Sequence, residues 1–466
     1  MTNRVLVILF ALILSCPALA NEQQARQTLM RQLQLLALVD DDQFNFEQQQ
    51  AQLSQAPDTE WRSLSVNIAF DIERFWSRRG VPISNENKFT DNEDENFAIA
   101  SEPNVEGYLA TTNHIAKLLW MQQKNSWLPI EVNRLLRLGD THPQLNVLIK
   151  RLWLLGDLAQ LPVEPSKITL PVHQALMRFQ RRHGLKVDGV VGPMTLKWLN
   201  TTPFQKAKLL ANNFVESATY RTSIGSRYLL VNIPAFEMVL VDDNEEQLRS
   251  RVIVGKPYRP TPILNSQISN IVLNPPWRVP RRIIYRDLLP HIRKDGTYIE
   301  KRQFQVFDYQ GNLQDKGAEE WQSLALGKFP YRLVQKPGSL NALGRYKFHF
   351  ANRHSVYLHD TPNPELFNEA NRALSSGCIR VESVTALANW MASNLVKDKQ
   401  TWVDLQSTNQ TTQWFSLKSN LPVHLVYWTA WVDEVNQPQF RNDIYNLAEK
   451  RLNTQNVTLN KLALTH

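Results

Sequence analysis

The sequence predicts a multidomain α+β protein: a helical N-terminal scaffold over residues 21–140, a small three-helix module over 141–202, and a mainly-β domain over 226–408 with an inserted subdomain at 281–343. A strand and helix over 409–466 complete it. Three observations carry this prediction. A length of 466 residues suits about three domains. A hydrophobic content of 43% allows each of them a core. The apolar spacing changes from helical to alternating at Arg227.

Residues 1–20 read as an export signal. Arg4 is their only charge, Val5 to Leu14 are apolar, and Pro17 precedes an Ala18-Leu19-Ala20 cleavage pattern that would leave Asn21 first. The apolar run is about ten residues, short of the roughly twenty a bilayer span needs. The expected location is therefore the periplasm, with a mature protein that is soluble. Ile13-Leu14-Ser15-Cys16 fits a lipoprotein site poorly, so lipid anchoring through Cys16 stands behind simple export. The formal charge of +8, or +7 without Arg4, is spread rather than blocked, which suits an anionic envelope polymer. Nucleic acid is not expected as a partner, because no helix-turn-helix, zinc finger or Arg-rich arm occurs.

The scaffold region is rich in Gln, Asn, Leu and Trp. Leu29, Leu33 and Leu36, and again Ile68, Ile72 and Trp76, recur at helical spacing. The polar run Ser84 to Asn96 reads as a solvated loop. In the next module Leu145, Leu148, Leu152 and Leu155 line one helix before Gly156; Val172, Ala175, Leu176 and Phe179 line a second before Gly184, and Pro193 starts a third. Between the second and third lies Phe179-Gln180-Arg181-Arg182-His183-Gly184-Leu185-Lys186-Val187-Asp188-Gly189-Val190-Val191-Gly192-Pro193-Met194-Thr195. Taken singly, these residues mostly build the fold: Phe179 for the core, Asp188 for a loop bond, Gly189 and Gly192 for tight turns.

From Arg227 an antiparallel β domain is expected. Strands are read at Tyr228 to Ile233, Phe236 to Val241, Leu248 to Val254, Ile268 to Leu273, Gln303 to Phe307, Tyr331 to Val334, Tyr346 to Phe350, Ser355 to Leu358, Gly377 to Val381 and Thr401 to Leu405. Asp242-Asp243-Asn244-Glu245 reads as a hairpin turn. Arg281 to Arg293, behind Pro280, and Val384 to Val396, with Ser383 as N-cap, read as helices.

The chemistry sits in this domain. Without the export signal the chain keeps one cysteine, Cys378, in Ser375-Ser376-Gly377-Cys378-Ile379-Arg380, nineteen residues after His359 in Tyr357-Leu358-His359-Asp360-Thr361-Pro362. Exported proteins hold most cysteines as disulfides, so a lone thiol with a histidine upstream points to a nucleophile and base. Strand alternation would put Ser355, Tyr357 and His359 on one face. The amides of Gly377 and Cys378 are candidate oxyanion donors, with Gly377 leaving room for a carbonyl to approach. Ser376 is a third substrate-side candidate. Arg380 is either a surface charge or a carboxylate clamp; Trp277 and Tyr357 either line a donor site or pack a core. No metal is expected: His349, His354 and His359 are spaced by five, which alternates their faces on a strand. No cofactor is implied.

Two resemblances follow from these residues. The run from Phe179 to Thr195 resembles the bacterial peptidoglycan-binding domain. The ordered set of Val231-Asn232-Ile233-Pro234, Val254-Gly255-Lys256-Pro257, Asn274-Pro275-Pro276-Trp277-Arg278-Val279-Pro280, Asn341-Ala342-Leu343-Gly344, the His359 and Cys378 motifs, and Leu425-Val426-Tyr427-Trp428-Thr429-Ala430-Trp431 resembles the L,D-transpeptidases with a YkuD-type catalytic domain, close to the large YcbB-like members. Many family members have histidine where this chain has Ser376. The resemblance implies peptidoglycan stem peptides as donor and amine acceptor. Cys378 would form a thioester on releasing D-alanine, His359 would manage protons, and a 3→3 crosslink would result. It also implies that residues 281–343 form a lid, that carbapenem-type β-lactams acylate the thiol, and that cell-wall synthesis enzymes are candidate partners. A carboxypeptidase using water, or a non-catalytic wall-binding scaffold, are the alternatives.

Overall fold

The computed structural model describes residues 17–39, 43–83, 102–162, 166–406 and 411–447. Cys16 and most of the export signal, the polar run at 84–96 and residues 448–466, where the C-terminal helix would fall, lie outside the described residues. The chain forms two compact units. One holds residues up to 183, 187–223 and 430–440; the other holds 184–186, 224–429 and the C-terminal segment from 441.

The first unit is helical. Leu29 and Leu33 on the helix Pro17–Leu36 are fully buried, as are Ile72 and Trp76 on Asp58–Ser77, so the helical spacing marks the faces that pack. Phe44, Phe46, Phe75, Trp76 and Phe214 join by edge-on and stacked ring contacts. The three-helix module comprises Leu145–Leu154, Leu170–Arg182 and Pro193–Asn200, with Pro193 in the first turn of the last. Gln180 organises the loop between the second and third helices. Its amide nitrogen donates to Asp188, Val190 and Thr195, and its oxygen accepts the amides of Asp188 and Gly189. The signature residues of this run therefore serve the fold. A hairpin from the far end of the sequence, β14 (Ala430–Val432) and β15 (Pro438–Phe440), belongs to this unit.

The second unit is built on β1 (Tyr228–Asn232), β2 (Glu237–Asp242), β3 (Glu245–Gly255), β4 (Leu264–Leu273), β9 (Tyr346–Phe350), β10 (Leu358–His359), β11 (Ala373–Ser375), β12 (Ile379–Val381) and β13 (Gln413–Val426). Their order is β11-β3-β12-β10-β9-β4-β13-β1-β2, and β2 pairs back onto β3, closing the sheet on itself. Closure leaves β11, a three-residue strand that pairs only with β3, as a short edge. The β2–β3 turn has Asp243 and Asn244 at φ of 50° and 63°, the geometry that side chains of this type tolerate. Alternate residues point inward: Leu229, Val231, Met238, Leu240, Ile271, Phe348, Leu358 and Ile379 join one core, each such side chain worth about 1.5–3 kcal/mol on full burial. The helix Val384–Asn394 closes that core with Leu387, Ala388 and Met391.

Three expectations are corrected here. The sheet is mixed, since β1–β13, β3–β11 and β10–β12 are parallel. Lys399–Leu405 is a helix, not a strand: the Asp398 side chain caps it by accepting the Thr401 amide at 3.0 Å, and Trp402 turns inward onto Phe415. The strand expected from Ser355 starts only at Leu358, because Ser355 has φ 55° and Asn352 Oδ1 collects the amides of His354 and Val356 in a turn. Ser383 occupies its cap position without a side-chain cap bond.

The insertion has its own core and a small sheet of β5 (Trp277–Arg278), β8 (Arg332–Gln335), β6 (Phe304–Phe307) and β7 (Leu313–Gln314). It thus takes in Trp277, ahead of Arg281. Its long helix runs through Arg281–Ile283, Ile284–Leu288 and Leu289–Lys294, with the middle stretch in π geometry. Ile284, Leu288, Leu289 and Ile292 pack against Trp321 and Phe329.

Candidate active site

β9, β10 and β12 lie side by side, and their register composes the site. Leu358 pairs with Phe348 and Ile379, all in the core; His359 pairs with Lys347 on one side and Arg380 on the other. Because side chains alternate, Lys347, His359 and Arg380 form a row on the opposite face. Two residues back along β10 and β12 stand Tyr357 and Cys378, and the Ile379 amide bonds the Tyr357 carbonyl at 3.1 Å. The parallel pairing of β10 and β12 needs a long crossover, supplied by residues 360–378 with a 3₁₀ turn at Pro364–Asn368 and strand β11.

The turn that carries Cys378 is held by buried hydroxyls. Gly377 has φ 116°, which glycine adopts without strain. The Thr261 hydroxyl donates to the Gly377 carbonyl at 2.8 Å and accepts the Gly255 amide at 2.9 Å. Tyr445 closes the set, donating to Gly255 O at 2.7 Å and accepting the Thr261 amide at 3.1 Å. Ser375 donates to Cys378 O at 2.5 Å and accepts the Gly377 amide at 3.1 Å. The Gly377 amide is therefore committed, which corrects its expected role as an oxyanion donor. Among the described residues the Cys378 amide has no acceptor and remains available for that task.

Cys378 is half-buried, and its sulfur contacts the Ser355 carbonyl at 4.0 Å. Burial raises the thiol pKa; the Tyr357 amide and hydroxyl, then Lys347 and Arg380, pull it back down. Lys347 lies 4.1 Å over the Tyr357 ring, and the Trp277 indole acts on the Tyr357 hydroxyl through a hydrogen bond. Burial lowers the pKa of Lys347 and of Arg380, and the nearby sulfur works against both shifts. No ion pair neutralises either cation among the described residues, and Arg380 Nε is buried without a hydrogen-bond partner.

His359 is 5% exposed. Its Nδ1 lies 2.5 Å from the Asp360 carbonyl, which can only accept, so Nδ1 carries the proton and Nε2 is left as a base. Burial first, then Arg380 and Lys347, bring its pKa down to about 3, while the Asp360 carbonyl opposes this. The resting pair is a neutral thiol and a neutral imidazole, and no hydrogen bond joins them among the described residues. The Asp360 carboxylate takes no part: it accepts the amides of Arg345 at 2.8 Å and Thr361 at 2.7 Å.

The expected residues thus gather unequally. Cys378, His359, Tyr357 and Arg380 share one face, Trp277 reaches it from the insertion's sheet, and Ser376 is exposed beside it, held by Arg259 Nη1 at 2.8 Å. Lys347 was missed although the alternation of Tyr346, Phe348 and Phe350 marks it as facing away from the core. Thr261, Arg259 and Tyr445 carry no local signal.

Residues 226–405 match the L,D-transpeptidase catalytic domain family, YkuD, and residues 151–199 match the family described as "Putative peptidoglycan binding domain". The chain thus carries, in this order, a region that matches the peptidoglycan-binding family and a region that matches the L,D-transpeptidase catalytic domain family. A relative from Haemophilus influenzae, named "Putative L,D-transpeptidase", is 42% identical over 234 residues, covering 47% of this chain and 46% of the relative. The chain thus spans about half the length of that curated relative. Solved L,D-transpeptidase structures from Xylanimonas cellulosilytica and Mycobacterium smegmatis are each 15% identical at a TM-score of 0.21. They cover 64% and 43% of this chain, and 100% and 58% of their own. Likeness at that level carries nothing about the site.

Proposed function

We propose that the chain is an exported, periplasmic L,D-transpeptidase that forms 3→3 crosslinks between peptidoglycan stem peptides through a cysteinyl thioester. The observation that carries this is the placement of Cys378 against Tyr357, Lys347 and Arg380, beside a buried His359 whose Nε2 is free to take a proton. In the first step Nε2 accepts the thiol proton and Sγ attacks the carbonyl carbon of the third stem residue. The C–N bond to terminal D-alanine breaks, the leaving amine takes the proton back, and a thioester remains. In the second step the side-chain amine of a neighbouring stem attacks the thioester carbon. Its proton passes through His359, the C–S bond breaks, and the thiol returns.

Each charge on the face has a use in this sequence. The Cys378 amide is positioned for the oxyanion of each tetrahedral intermediate. Lys347, and Arg380 with Glu365 acting on it from beyond ion-pair distance, suit a stem-peptide carboxylate and also stabilise the thiolate as it forms. Acylation of the same sulfur by a carbapenem-type β-lactam is part of this reading. Binding of the wall by the residues 151–199 domain is part of this reading.

The test is mass spectrometry of tetrapeptide muropeptides incubated with the protein and with Cys378→Ala. Crosslinked dimer lacking one D-alanine, formed by the wild type alone, is the expected result. Tripeptide without dimer would replace transfer by hydrolysis, making the protein a carboxypeptidase. Unchanged substrate with retained wall binding would leave the scaffold reading.

A further inference from the structure

The insertion and the nucleophile turn meet on one side chain outside the catalytic row. Arg259 lies in the loop after β3, and its guanidinium forks onto Asp287, with Nη1 to Oδ2 at 2.6 Å and Nη2 to Oδ1 at 3.0 Å. The same Nη1 donates to Ser376 Oγ at 2.8 Å, two residues before Cys378. The Arg259 side chain is 15% exposed against 40% for Asp287, so the guanidinium end of the fork is sheltered while its carboxylate end meets water. Its backbone is equally tied in. A Cβ built on Gly255 would lie 2.1 Å from the Arg259 carbonyl and 3.0 Å from Gly377 Cα, so loop and turn are packed without space between them.

Asp287 belongs to the π-geometry stretch Ile284–Leu288, whose Ile284 and Leu288 are buried in the insertion's own core. Such π stretches recur at functional sites, where they redirect side chains that regular helix would aim elsewhere. A pull on Asp287 is therefore a pull on the whole insertion. At a second point the insertion reaches the site through Trp277 and the Tyr357 hydroxyl. A charged, two-pronged bond has a narrow geometry, so it transmits position better than a single contact does.

We propose that Arg259 is a positioning residue that straps the insertion to the nucleophile turn, making the seating of the insertion and the pose of Cys378 one event. The proposal rests on the acyl-transfer reading above. With the strap closed, the thioester is shielded from water long enough for an amine to resolve it; with the strap open, water competes.

The decisive comparison is Asp287→Asn, Asp287→Glu and Arg259→Lys against the wild type, read two ways. On tetrapeptide muropeptides, Asp287→Asn and Arg259→Lys are expected to raise the tripeptide-to-dimer ratio about tenfold, and Asp287→Glu to stay within about threefold of wild type. By hydrogen exchange, amides in 281–294 of Asp287→Asn are expected to exchange about tenfold faster while those of β1 and β2 stay unchanged. An unaltered product ratio and unaltered exchange in folded Asp287→Asn would overturn the strap. So would a Glu variant as impaired as the Asn one. Should Asp287→Asn not fold, Arg259→Lys is read by the same criteria. If the wild type makes neither dimer nor tripeptide, the functional reading fails, and the exchange at 281–294 still decides the strap.

Discussion

Thr261 and Gly377 are joined by a hydrogen bond of 2.8 Å from hydroxyl to carbonyl, and the same hydroxyl accepts the amide of Gly255. One side chain, 1% exposed, thus fastens the end of β3 to the residue before Cys378. Thr261→Val keeps the shape and strands two buried backbone groups, each costing about 1–3 kcal/mol. The expected outcome is a lower melting temperature and at least tenfold slower acylation of Cys378, both recovered in Thr261→Ser. Thermal unfolding and adduct formation monitored by intact mass check this.

Gly377 gives a cleaner backbone test. A Cβ there would meet nothing closer than 3.7 Å, so crowding is not the obstacle; the φ of 116° is. Gly377→Ala is expected to cost about 1–3 kcal/mol of stability through conformation alone. Any shift that relieves that strain moves Cys378, so acylation should slow more than it does in Thr261→Val. Urea denaturation and acylation rates, measured side by side, test that ordering.

Tyr357 faces the sulfur with both its amide and its hydroxyl. Removing the hydroxyl in Tyr357→Phe takes away one group that favours the thiolate while leaving burial to disfavour it. The thiol pKa, already raised, should rise further. At pH 7.5 the alkylation rate with iodoacetamide is expected to fall about tenfold, with the alkaline limb of its pH profile displaced upward. Lys347→Met should move the profile the same way, since it removes a nearby cation.

His359 makes stability depend on pH. Its pKa falls from the ordinary 6.5 to about 3 in the folded chain, so the unfolded state binds the extra proton first. Its contribution is fully present above pH 6.5 and is lost progressively as the pH falls toward 3. His359→Gln should therefore flatten the decline of the melting temperature between pH 6.5 and 4 relative to wild type. A parallel decline in both proteins would show that other groups drive acid unfolding.

Much of this was legible in the residues. The periodicity of Leu29 and Leu33, or of Ile72 and Trp76, named the packed faces, because amphipathic spacing is a local property. The context of Cys378 and His359 was legible for the same reason: a free thiol, a glycine and a histidine are short-range signals. The segment Thr401 to Leu405 misled because β-branched and aromatic residues there favour a strand, whereas the Asp398 cap and the packing of Trp402 against Phe415 decided for a helix.

The sequence by itself determined a mainly-β domain with one inserted subdomain, a single candidate nucleophile and its candidate base. The tertiary structure alone decided that β10 and β12 run parallel, that the Gly377 amide is spent on Ser375, and that Lys347, Arg259, Thr261 and Tyr445 converge on the same turn. Local propensity is carried by neighbours along the chain. Strand register and hydrogen-bond partnership are settled across a closed sheet, between residues as far apart as Gly255 and Tyr445, where only the packed core selects the pairing.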